Sequence, residues 1–162
     1  MSIRIRPAKK NDASVILSFI RELAAYEKLT DEVTAREEDI SRSLFCDAPK
    51  VFAVIAEEDG APQGFALYFY TYSTFLGRHG LYLEDLFVRE RARGRGLGKA
   101  LLSHLARIAL AEGCGRMEWA VLDWNAPSIA FYESLGAKSQ NEWIGYRLTA
   151  PEIEHLARWE GT

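Results

Sequence analysis

The sequence predicts a mixed α/β domain, with a sheet that is antiparallel at its centre and covered by helices on its faces. Three observations carry this. Two helical patterns stand near the start, three strand-like runs follow one another through the middle, and strand and helix patterns then alternate to the end. With 162 residues, 48% hydrophobic and 12% aromatic, the chain can bury one sizeable core and falls short of two ordinary domains, so a single domain over residues 1–162 is expected.

The elements follow in order. "SIRIRPA" alternates apolar and basic residues and is ended by Pro7, which reads as a strand. In "NDASVILSFIRELAAYE" the residues Val15, Ile16, Phe19, Ile20 and Leu23 recur at helical spacing behind Asn11 and Asp12, either of which suits a cap. The acidic linker "KLTDEV" leads to "TAREEDISRSLF", where Thr34 three residues before Glu37 has the form of a capping box and predicts a second, shorter helix. "KVFAVIAEE", "QGFALYFYTY" and "GLYLEDLFV" are rich in aliphatic and aromatic residues, are broken by Gly, Pro or Asp, and predict three successive antiparallel strands.

Next comes "RARGRGLGKALL", residues 91–102, which runs into a helix striped by Leu97, Leu101, Leu105 and Ile108 and stopped by "EGCG". "RMEWAVLDW" predicts a strand. "NAPSIAFYESLG" predicts a short helix with Asn125 as cap, Pro127 in its first turn and Gly136 as stop. "EWIGYRLTA" predicts a last strand and "PEIEHLARW" a last amphipathic helix.

Composition excludes several classes of function. A formal net charge of −3 argues against a surface committed to nucleic acid, so any anion site is local. Cys46 and Cys114 have no metal-ligand spacing, and His79, His104 and His155 are scattered, so no metal is expected. The first residues lack a continuous apolar region and no run approaches a membrane span, so a cytoplasmic protein with no membrane partner is expected.

The glycine-rich bend is the local exception. Backbone N–H groups at a helix N-terminus, with Arg91, Arg93, Arg95 and Lys99 beside them, suit a phosphate. A P-loop needs glycine where Arg93 stands and a hydroxyl where Ala100 stands; a dinucleotide fingerprint needs glycine where Lys99 stands. A pyrophosphate cradle of another kind remains. On its own the segment also fits, less well, a glycine turn whose arginines are merely solvated.

The flanking segments decide between these. Arg93 to Gly98 resembles the Gln/Arg-x-x-Gly-x-Gly/Ala motif of the GNAT superfamily of N-acetyltransferases, and "YLEDLFV" before it and "NAPSIAFYESLGA" after it resemble that superfamily's neighbouring segments, in its order and spacing. The resemblance covers essentially the whole chain. It is closest to the diamine acetyltransferases, of the spermidine/spermine and thialysine type, through "IRPA", "RELAAYE", "YLEDLFV", "RGRGLG" and "LDWN".

The resemblance implies a GNAT fold, a mixed and mostly antiparallel sheet with a splayed parallel strand pair, with acetyl-CoA as co-substrate in the splay. It places backbone groups of Leu86, Phe87 and Val88 on the pantetheine and thioester, and Arg93, Gly94, Arg95, Gly96, Leu97, Gly98 and Lys99 around the pyrophosphate. Asn125, Ala126, Pro127, Ser128 and Tyr132 line the other wall, with Tyr132 as general acid. It also implies an amine site of Tyr26, Glu27, Glu84, Glu118, Trp119, Ala120 and Glu142, and a homodimer in contact through the C-terminal strand and helix.

Chemistry ranks the demands on these residues. Removing a proton at pH 7 from an amine of pKa about 10.4 costs roughly 4 to 5 kcal/mol, whereas a thiol of pKa about 8.5 already leaves fairly well. Glu84 interrupts an apolar run and is the acid expected at the amine, relaying its proton through water because a carboxylate of pKa about 4 is a poor direct base. Strand alternation sends Asp85 to the opposite face, as a structural acid.

Two departures from the family concern the acceptor. After "YFYTY" the spermidine/spermine members carry an aspartate where this chain has Ser73, which favours a thialysine- or lysine-like amine over a polyamine. "NEWIGYRL" displaces Glu142 and Trp143 from the family's acid-Gly-Trp pattern. A protein or peptide acetyltransferase and a non-catalytic acyl-CoA sensor are the competing functions.

Overall fold

The computed structural model describes residues 1–161, and the backbone divides into two compact units, Met1–Leu122 and the residues from Asp123 onward.

The first unit holds a five-stranded sheet in sequence order: β1 (Ile3–Pro7), β2 (Phe52–Glu58), β3 (Ala61–Ser73), β4 (Arg78–Val88) and β5 (Met117–Glu118). The first four strands pair antiparallel, and β4 pairs parallel with β5. Asp59 and Gly60 both have positive φ, the conformation of a two-residue turn matched to strand twist, and this closes the β2–β3 hairpin. A parallel neighbour requires a crossover, supplied by α3 (Leu97–Ala111).

Alternation along the strands fills both faces. Ala53, Ile55, Phe65 and Phe87 pack with Ile16 and Phe19 of α1 (Ala13–Tyr26) and Leu44 of α2 (Glu37–Leu44). Phe19 and Phe65 stack with ring centroids 5.5 Å apart, and truncating either to Ala would cost about 3 to 5 kcal/mol. The intervening residues Val54, Ala56, Ala66, Leu81 and Leu83 are buried on the other face, where α3 buries Leu97, Leu101 and Leu105.

Two helix starts differ from the sequence expectation. Asp12 does not cap α1: its carboxylate accepts from the Lys9 N–H at 2.7 Å and from the Arg6 guanidinium at 2.7 and 3.0 Å, while Arg6 Nε reaches Glu57 at 2.6 Å. The hydrogen bond from Arg6 holds the Asp12 carboxyl below the usual carboxylate range. Thr34 does not begin α2 either. The helix starts at Glu37, three acids occupy its first turn, where the dipole favours them, and Asp39 accepts from the Arg36 N–H at 2.9 Å.

The β3–β4 register carries the irregularity that matters most for function. Leu67 stands opposite Asp85 and Tyr68 opposite Leu83, so Glu84 is an extra residue, the bulge of a β-bulge.

In the second unit, α4 (Ala126–Ser134) starts as the sequence predicts. The Asn125 side chain accepts from the Ser128 N–H at 3.3 Å, and Gly136 beyond the helix has φ of 90°. In α5 (Ala150–Ala157) the Thr149 hydroxyl and N–H both bond Glu152. The strand expected over "EWIGYRLTA" is not formed, and of "RMEWAVLDW" only Met117 and Glu118 are strand. A strand is defined by its ladder, and no neighbouring strand pairs with 142–149 among the described residues.

Candidate active site

The pairing of β4 with β5 covers only Leu81↔Met117 and Tyr82↔Glu118. Beyond Tyr82, β4 continues to Val88 bonded to β3 on one side and, among the described residues, to no strand on the other. Such an edge offers backbone N–H and C=O groups to an extended ligand, and Leu86, Phe87 and Val88 lie on it.

At the end of this edge the chain makes a 3-10 turn over Glu90–Ala92 and enters the glycine bend. Gly94 and Gly96 have φ of 74° and 90°, and an added Cβ would meet nothing within 4 Å at either, so glycine is needed here for conformation and not for space. The Ala100 N–H bonds the Gly96 carbonyl at 2.9 Å; among the described residues, no backbone carbonyl accepts from the N–H groups of 94–99. These donors, concentrated where the α3 dipole is positive, form a cradle for a polyanion.

The arginine side chains are deployed more selectively than the sequence implies. Arg95 Nη1 pairs with Glu58 at 2.7 Å; the Glu58 side chain is 10% exposed, and its other oxygen is buried without a partner. Arg93 donates from Nε to the Val88 carbonyl at 2.8 Å and lies over the Tyr26 ring, 4.8 Å from its centroid. Arg93 therefore brings the bend its backbone, while its guanidinium is engaged elsewhere.

An acid cluster stands on the α1 face. Leu67 packs in the core under α1, so Asp85, directly opposite it, shares that face. Simple alternation placed Asp85 on the other face, and the bulge at Glu84 corrects this by setting both acids on one side. Burial first, then the charges of Glu84 and Glu27, push the Asp85 carboxyl up to about 6. Glu27, which follows Tyr26 at the C-terminus of α1, is raised by burial, while Glu84 is exposed. Burial raises the Tyr82 hydroxyl, and the charges of Glu84 and Glu118 add to this.

Other predicted positions contribute differently. Glu118 is in an ion pair with Arg116 at 2.8 Å through one carboxylate oxygen; Trp119 is half-buried and Ala120 exposed just beyond β5. Ser73 is buried, and its hydroxyl accepts from the Leu76 N–H at 3.2 Å inside the β3–β4 turn. It lies six residues along β3 from Leu67, about 20 Å at the usual rise, so it does not bear directly on the acid cluster. In the second unit Asn125, Ala126, Pro127 and Ser128 form the start of α4, with Tyr132 farther along it beside Phe131, and Glu142 is exposed outside any helix.

Sequence reasoning set Asp85 on the wrong face. The signal was a pair of adjacent carboxylates inside an apolar run, but the bulge that lets both share a face is a property of register. The Cys114 thiol is pushed up by burial and by Glu112, the wrong direction for a nucleophile. Among the described residues no cluster of three or more His, Cys, Asp or Glu could hold a metal ion, and no helix is long and apolar enough to cross a membrane.

Comparison with known proteins places the chain among acetyltransferases. Residues 20–137 match the model of the acetyltransferase (GNAT) family. Thialysine N-epsilon-acetyltransferase of Sus scrofa is 39% identical over 167 residues, covering 96% of this chain and 98% of its own. L-ornithine N5-acetyltransferase NATA1 of Arabidopsis thaliana is 32% identical, covering 96% of this chain and 88% of its own. Among solved structures, an integron cassette protein from the mobile metagenome of V. cholerae superposes with a TM-score of 0.80 at 30% identity, covering 98% of this chain and 99% of its own.

Proposed function

Because the chain belongs to the GNAT acetyltransferase family and is an N-acetyltransferase, we propose that it moves the acetyl group of acetyl-CoA directly to the primary amine of a small cationic substrate, thialysine- or lysine-like in preference to a polyamine. One observation carries the choice of a small cation: Asp85, Glu84 and Glu27 gather on one face of β4, beside its open edge. Relatives named for thialysine and ornithine acetylation support an amino-acid side-chain amine.

The donor groups fit acetyl-CoA. An open strand edge from Leu83 to Val88 suits the amide-bearing pantetheine arm, and the N–H groups of 94–99 suit its pyrophosphate. When bound, acetyl-CoA supplies an acetyl group activated as a thioester. Asp85 and Glu27 hold the ammonium end of the acceptor; Glu84, exposed at the bulge, takes the amine proton through water as the nitrogen becomes nucleophilic. A backbone N–H at or next to Phe87 polarises the carbonyl, and the Tyr132 hydroxyl returns a proton to the departing sulfur. The family resemblance assigns Asn125 to Ser128 to donor binding and Glu118, Trp119, Ala120 and Glu142 to acceptor binding.

The matched family region crosses the boundary between the two units, which supports one acetyltransferase domain over the whole chain. A homodimer joined through the C-terminal segment, a cytoplasmic location and the absence of nucleic-acid or membrane partners complete the proposal. Detection of free thiol with acetyl-CoA and a panel of amines tests it, and failure of every small amine would refute the acceptor class.

A further inference from the structure

Two arginines that follow β4 turn back over α1. Arg89 bonds the Glu22 carboxylate from Nε and Nη2 at 3.0 to 3.2 Å, reaches the Ser18 hydroxyl at 3.3 Å, and stacks over Phe19 at 4.7 Å. Arg93, four residues on, holds the Val88 carbonyl at 2.8 Å with its guanidinium over Tyr26 at 4.8 Å and near Phe87 at 5.6 Å.

The positions of its partners make Arg93 distinctive. Val88 is the last residue of the open β4 edge, and Tyr26 is the last residue of α1, next to Glu27 of the acid cluster. Arg93 itself is the residue before Gly94, where the anion cradle starts. One rigid, planar group thus touches the donor strand, the root of the donor loop and the wall of the acceptor site. A phosphate that orders the loop fixes the Arg93 backbone, and the guanidinium carries that restraint to Tyr26. Arg89 anchors the same stretch of chain one helical turn earlier on α1, so the loop cannot shift without pulling on α1.

We propose that Arg93 is a positioning residue that couples the two half-sites, so that filling the cradle tightens the amine site and, by reciprocity, the amine tightens the cradle. This rests on the acetyl-transfer reading above. It also reassigns the Arg93 side chain, which the motif alone would have given to the phosphates.

Calorimetric titration of CoA with and without saturating thialysine measures the coupling directly. For the unaltered protein the amine is expected to tighten CoA about tenfold, within the usual range of coupling between sites. In Arg93→Gln that factor falls to within about twofold of unity, the CoA Kd without amine stays within about threefold, and the KM for thialysine rises more than kcat falls. Arg93→Lys, which keeps a cation over the ring but loses the planar fork, restores part of the factor. Thermal melts accompany each variant. If Arg93→Gln does not fold, Tyr26→Leu removes the other end of the contact and must also abolish the factor.

A rise in CoA Kd of tenfold or more in Arg93→Gln with the factor preserved would make the guanidinium a phosphate ligand and overturn the coupling. So would an intact factor in Tyr26→Leu, or an unaltered protein that acetylates thialysine with no mutual effect on binding. An unaltered protein that neither binds CoA nor releases thiol would overturn the proposed function itself, a result distinct from the others.

Discussion

Asp85 stands directly opposite Leu67 across the β3–β4 pair, although the residue two positions before it, Leu83, stands opposite Tyr68. One inserted residue, Glu84, therefore sets Asp85 on the same face of β4 as Glu84 itself. The two carboxylates share a face with Glu27, and the charges of Glu84 and Glu27 add to burial in making Asp85 harder to ionise.

Asp85→Asn tests both consequences. The native carboxyl is raised to about 6, above its unfolded value near 4, so its favourable contribution to folding is full below about pH 4 and is lost as pH rises through about 6. Partial exposure screens some of this, and removing the charge is expected to stabilise the fold at pH 7 by about 1 kcal/mol and at pH 4 hardly at all. The same change is expected to raise the amine KM about tenfold at pH 7.5 and to remove the loss of amine affinity expected of the unaltered protein as pH falls through about 6. Denaturant melts at the two pH values and KM across pH 5 to 8 check it.

Glu84→Gln keeps shape and removes the proton acceptor. The kcat profile is expected to shift toward higher pH, so that activity near pH 7 drops while activity near pH 10, where the free amine is abundant, recovers. An unchanged profile with an unchanged amine KM would remove Glu84 from the site.

Tyr132→Phe separates the sulfur side from the donor site. Because a thiol already leaves fairly well, the loss in kcat is expected at about tenfold to a hundredfold, with the Kd for CoA held within about twofold. Single-turnover rates beside calorimetry read both. Full activity in the variant would return Tyr132 to the role of a packing aromatic.

Gly96→Ala adds one methyl group at φ of 90°. With open space around it, the effect is conformational, about 1 to 2 kcal/mol against the native loop, and the CoA Kd is expected to rise about tenfold while the amine Kd without CoA is unaffected. An unaltered CoA Kd would mean that the N–H cradle does not hold the pyrophosphate.

The order of elements in the first unit was legible because its apolar periods are clean. Val54 and Ala56 alternate with Ala53 and Ile55, and Leu97, Leu101 and Leu105 fall on one stripe. The glycine bend was legible for a related reason: glycines at positive φ and a helix start are local features written in contiguous residues. The placement of the acids and arginines depends on register and on side-chain choice among partners, which are set by packing across the sheet. Asp85 changed face through a bulge, Arg93 lies over the Tyr26 ring, and Glu118 pairs with Arg116. The unformed strand over "EWIGYRLTA" follows the same logic, since its alternation states a propensity and a ladder needs a second strand.

The reaction is measured most directly by supplying acetyl-CoA with thialysine, L-lysine, L-ornithine, putrescine, spermidine and a lysine-containing peptide in turn, following free thiol and the mass of each product. One acetyl group is expected on the side-chain amine of the amino acids, with kcat/KM at least about tenfold above that for spermidine and for the peptide. Acetylation of the peptide alone, or CoA binding with no thiol released for any amine, would contradict this expectation.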